Sequence, residues 1–152
     1  LLSRRQRQMC IRDRPKIHDI IKLDISFVDR MGMVLDEYIE LFTKEPYLPK
    51  FICGEIQRDV NHLLEAAKEL QFEAALSLVK DTLLAEMEAG KIKKVPLPMV
   101  FLTFYSLLTY PFLVRNLITT LFLDNEEDFT SFLQEWKQHI ITELTNLLSN
   151  DK

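Results

Sequence analysis

The side chains able to do chemistry are few, and most of them fall in one short stretch. Cys53 and His62 would form a nucleophile and its base if a fold brought them together, and Glu55, Asp59 and His62 stand at helical spacing as possible metal donors. Neither arrangement reaches far. A cysteine between Ile52 and Gly54 in a short apolar helix behaves as a small hydrophobe. A di-iron carboxylate centre needs Glu-x-x-His twice plus two further glutamates, whereas this chain offers a single Asp-x-x-His. His18 and His139 stand alone. Only three glycines are present, Gly32, Gly54 and Gly90, which leaves no loop to cradle a phosphate. The expectation is a chain that is not an enzyme and holds no metal or cofactor, with a helical-bundle enzyme or metal carrier as the alternative.

Charge narrows the partners. The chain opens "LLSRRQRQMCIRDRP", with Arg4, Arg5, Arg7, Arg12 and Arg14 opposed only by Asp13. Setting those aside leaves 14 cationic against 22 acidic residues, a net charge near −8 for residues 15–152. An acidic body repels a phosphate backbone, so binding to nucleic acid is not expected of it. Cys10 and Cys53 are the only cysteines, too few for a stapled secreted module, and the opening run has no apolar core of a signal peptide. A reducing cytoplasm is the expected compartment.

After Pro15 the apolar residues keep a helical period. Phe27, Met31, Val34, Tyr38 and Leu41 are spaced 4, 3, 4, 3, which predicts a helix over Phe27–Lys44 with Ser26 as its cap. Pro46 and Pro49 then break the chain, and two short helices are expected over 50–58 and 59–70, the second capped by Asp59. Phe72, Leu76, Val79, Leu83 and Met87 mark a helix over 72–89, with Gly90 as its left-handed stop. Residues 95–114 carry no charge for 20 positions, which raises a membrane span. Only 12 residues separate Pro98 from Pro111, however, so a helix buried on nearly all sides is expected instead, with a membrane-associated protein as the alternative. Asn125 caps the last helix, Glu126–Leu148. The fold class is all-α, a bundle of about six helices in one domain.

The stretch "YIELFTKEPYLPKFICGEI" (residues 38–56) resembles the regulatory domain of TetR-type transcriptional regulators, in which a helix ends in a Glu/Asn-Pro turn before a short L-P-x-F-I-x-x-E-I helix. The order that follows is similar too: an amphipathic helix ending "EAGKIKKV", then "PLPMVFLTFYSLLTYPFLV", then a final amphipathic helix. The resemblance implies that residues 15–152 form an effector-binding and dimerisation domain, with 15–23 as the tail of a linker helix. The family's helix-turn-helix has no counterpart here, so DNA would be reached only through a missing N-terminal domain. Residues 1–14 instead resemble translated sequencing adaptor, a non-native leader. The resemblance also implies a cavity lined by Tyr38, Phe42, Phe51, Leu83, Met87, Phe101, Tyr105, Leu108 and Phe112, whose chemistry suits a small apolar or aromatic effector. It further implies a homodimer. Val114, Ile118 and Phe122, with Phe129, Leu133, Trp136 and Ile140 of the last helix, are the expected interface.

Overall fold

Helix boundaries follow from local chemistry. The computed structural model describes residues 17–69 and 72–150; the expected leader, 1–14, lies outside them. Among the described residues the regular structure is helical throughout, in seven segments: α1 (17–21), α2 (Phe27–Lys44), α3 (Leu48–Glu69), α4 (Phe72–Glu88), α5 (Leu97–Leu113), α6 (Arg115–Phe122) and α7 (Glu126–Leu148). The Ser26 hydroxyl accepts from the Asp29 amide at 3.1 Å, and Asn125 does the same for Asp128 at 3.1 Å, satisfying first-turn donors that have no partner within the helix. At the end of α4, Gly90 takes φ 76°, its amide bonds to the Met87 carbonyl, and the Lys91 amide reaches back to Glu86. That pair of bonds is a Schellman stop, and it needs a residue at ease with positive φ.

One expectation holds and one is corrected. The two helices predicted over 50–58 and 59–70 are both present within α3, the first starting at Leu48, and they meet at a kink where Asp59 leaves helical geometry at φ −161° and ψ 90°. Asp59 caps the second as expected, its carboxylate accepting from the His62 amide at 3.1 Å. The correction concerns α5, which is not buried on nearly all sides. Val100, Phe104, Leu108 and Phe112, spaced by four, face inward, while Met99, Leu102, Tyr110 and Leu113 are exposed. A segment apolar all round gives no periodicity from which its inner side can be told. No single helix among the described residues is long and apolar enough to cross a membrane; α5 and α6 pass that test only together, and they are bent by 67° at their junction.

The core forms where α2, α5 and α7 pack pairwise, with Leu35, Leu108, Ile140 and Leu144 at its centre. Here α5 has a difficulty built into its sequence. Pro111 lacks an N–H, so the Leu107 carbonyl four residues earlier loses its helical partner. The indole Nε1 of Trp136 on α7 donates to that carbonyl at 2.7 Å. An ion pair between Lys137 and Asp36 at 2.5 Å ties α7 to α2 on another side.

Trp136→Phe is therefore expected to cost about 1–3 kcal/mol in urea unfolding, because it strands a sheltered carbonyl. In a Pro111→Ala background the new amide can serve Leu107, and the cost should shrink by half or more. Equal costs in both backgrounds would disprove this role for the indole.

Candidate functional site

An unbroken series of aromatic rings runs between α2, α5 and α7. Tyr38 on α2 meets Phe104 and Tyr105 on α5 edge-on, with centroids 6.3 and 5.7 Å apart. Phe42, one turn along α2, lies edge-on to Phe112 at 5.3 Å, and Phe112 continues to Phe129 on α7 at 6.0 Å. Phe101 lies over Tyr105 at 4.7 Å, and Phe104 stands perpendicular to Tyr105 at 5.0 Å. These spacings and tilts set the positive edge of one ring against the negative face of the next.

Two hydroxyls meet within this apolar setting. The phenol oxygens of Tyr38 and Tyr105 are 3.1 Å apart, close enough for a hydrogen bond with either as donor. Burial pushes the Tyr105 phenol above its ordinary range, and the Tyr38 hydrogen bond offsets this only in part. A neutral phenol pair among rings can orient an uncharged aromatic molecule. It carries no charge of its own with which to pair an ionic one.

The structure thus gathers five of the nine residues expected around a ligand: Tyr38, Phe42, Phe101, Tyr105 and Phe112. Leu108 is buried on the same face of α5, and Phe51 of α3 is half-buried against the core. Leu83 and Met87 are buried on α4, which packs chiefly on α3. Phe104 belongs with the group and was not among the nine, although its spacing of four from Val100 and Leu108 carried the signal. Phe101 is 51% exposed and gives the group a solvent-facing edge. A cleft of about 980 Å³ lies elsewhere, beside the first turn of α2, and none of the nine lines it.

The residues expected at an interface divide by helix. Phe129, Leu133 and Ile140 are buried in the chain's own core, and Trp136 is committed to Leu107. Val114 and Ile118 are half-buried, while Phe122 is 73% exposed. Two of the residues first considered near Cys53, Glu55 and Asp59, are otherwise engaged. Arg58 grips Glu55 with two nitrogens, at 3.1 and 2.7 Å, and holds its carboxyl below the ordinary range, and Asp59 serves as the cap already described. Comparison with models of known protein families, with curated proteins and with solved structures finds no match.

The raised Tyr105 pKa fixes the sign of an alkaline effect. The neutral phenol is favoured in the folded chain, so its contribution is complete below the unfolded value of about 10 and is lost as pH rises through the higher folded value. In an ultraviolet titration of the folded protein the Tyr105 phenol should ionise late, and Tyr105→Phe should remove that late step. A late part of the titration left unchanged by Tyr105→Phe would contradict the assignment.

Proposed function

We propose that this chain is the effector-binding and dimerisation domain of a TetR-like transcriptional regulator, and that it takes a small, uncharged, apolar or aromatic molecule at the ring cluster. The supporting observation is the hydroxyl pair of Tyr38 and Tyr105 set among Phe42, Phe101 and Phe104, with Phe101 at the surface. A planar ligand entering beside Phe101 would exchange ring-to-ring contacts for ring-to-ligand contacts of the same geometry, and either phenol could bond a polar group on it. Such a ligand would part α2 from α5, and the movement would pass towards α1, the tail of the linker in this reading. In this reading DNA would be contacted through a helix-turn-helix domain and not through the helices described here.

Self-association belongs to the same proposal, but through a face that keeps only Phe122 of the residues expected. Met99, Leu102, Tyr110 and Leu113 of α5 continue into Leu117, Leu121 and Phe122 of α6 as exposed apolar residues. Between Lys94 and Asp124 the only charge is Arg115, and its guanidinium lies 4.8 Å from the Phe129 ring centroid. An acidic body repels a second copy of itself except where charge is absent. A stable interface takes about 800 Å² from each partner, which seven large apolar side chains can supply. The same exposed face favours a second reading, a membrane-associated helical protein, since α5 and α6 together have the composition of a bent span.

Two measurements test these points. Naphthol, a neutral planar aromatic, should raise the melting temperature by several degrees at saturation, by mass action. Tyr105→Glu should abolish the rise while the helical circular dichroism persists, and an undiminished rise would remove Tyr105 from the site. Residues 15–152 should sediment as a dimer at tens of micromolar without detergent, and Leu117→Glu should yield a folded monomer. A wild-type monomer would sink the dimer, and a detergent requirement would favour the membrane reading.

A further inference from the structure

One buried guanidinium joins three segments at one end of the bundle. Arg30, in the first turns of α2, is 6% exposed. Its Nη1 donates to the carbonyl of Ile21 on α1 at 2.9 Å, and its Nη2 donates to Glu86 Oε1 on α4 at 2.7 Å. Its Cζ sits 5.7 Å from the Phe27 ring centroid, and its buried Nε makes no hydrogen bond. A sheltered ion pair of this kind is weak evidence for stability, since apolar side chains of similar volume often hold a core as well. Directional bonds provide geometry. The rest of α1's attachment is apolar, through buried Ile17, Ile20 and Ile21, and apolar contact is non-directional.

Arg30 bonds to a fixed frame. Beyond the Schellman stop of α4, the Gly90 carbonyl accepts from Asn150 Nδ2 at 2.8 Å, and the Lys93 amide donates to the Leu148 carbonyl at 2.7 Å. The ends of α4 and α7 are thereby joined. The cleft of about 980 Å³ opens between this frame and residues 22–30, and both Arg30 and Glu86 line it. It gives the 22–26 turn space in which to move.

We propose that Arg30 is a latch: by holding the Ile21 carbonyl and Glu86 together it fixes α1 against the α4–α7 frame, and opening it frees α1 while the bundle stays folded. Arginine suits the task because its planar fork presents several donors in fixed directions, so that one side chain serves two acceptors on different elements. The inference is independent of what binds at the rings.

Hydrogen exchange on the full chain tests it, with the Arg30→Met/Glu86→Leu double variant replacing the pair by apolar groups. The amides of residues 20–23, including Lys22 and Leu23 that bond to Asp19 and Ile20, should exchange about tenfold faster, while those of α5 and α7 stay within about twofold of wild type. Glu86→Gln, which keeps the volume and an acceptor but drops the charge, should give a smaller acceleration confined to the same amides. Unchanged exchange at 20–23 in both variants overturns the latch. So does acceleration shared equally by α5 and α7, which would make Arg30 a general packing residue.

Discussion

The hydrogen bond from the Trp136 indole to the Leu107 carbonyl is the constraint on which the arrangement of the bundle turns. Pro111 makes it necessary, since a proline inside a helix leaves a carbonyl that must be satisfied from elsewhere. One donor on α7 therefore favours a single rotation of α5. In that rotation Phe104, Leu108 and Phe112 are buried in the core, and Met99, Leu102 and Tyr110 are exposed. The chain then bends by 67° into α6, and Arg115 comes to rest over Phe129. The inner ring cluster and the outer apolar face are two sides of one helix, held in its orientation by that bond together with the burial of Val100, Phe104, Leu108 and Phe112.

The ring cluster also constrains the chemistry of anything it holds. Aromatic contacts of this geometry are individually worth about 0.5–1.5 kcal/mol beyond burial, small enough for a ligand to replace a few of them without unfolding the core. The hydroxyl pair works the other way. A buried phenol must keep a hydrogen-bond partner, so whatever separates Tyr38 from Tyr105 has to offer one in exchange. In the proposed reading this requirement would favour a molecule with a polar edge over a purely aliphatic one.

Charge is distributed so that the two ends of the bundle behave differently. At the α1 end, a buried cation and a half-sheltered anion hold separate segments in register. Along α5 and α6, charge is nearly absent from a surface that water reaches. Uncharged apolar surface of this extent is what the proposed self-association would cover. Elsewhere in residues 15–152 acidic residues outnumber basic ones.

What could be read from the sequence was what depends on near neighbours. The caps at Ser26, Asp59 and Asn125 and the stop at Gly90 act within four residues, so residue type and spacing sufficed to place them. Tyr38, Phe42, Tyr105 and Phe112 were singled out through the resemblance of their segments to a known family, because spacing alone tells which of them share a helix face but not that α2 and α5 meet there. Tertiary structure alone decided which way α5 faces, because a segment without polar residues carries no mark of its outer side. It alone decided that Phe129, Leu133 and Ile140 are spent in the chain's own core, since an amphipathic stripe looks the same whether its partner is the same chain or a copy. It alone gave Arg30 its place, because a cation at the start of a helix reads as a surface residue until Ile21 and Glu86, distant in sequence, arrive to bond it. Sequence periodicity fixes which residues share a face of a helix, and only long-range contact determines what that face meets.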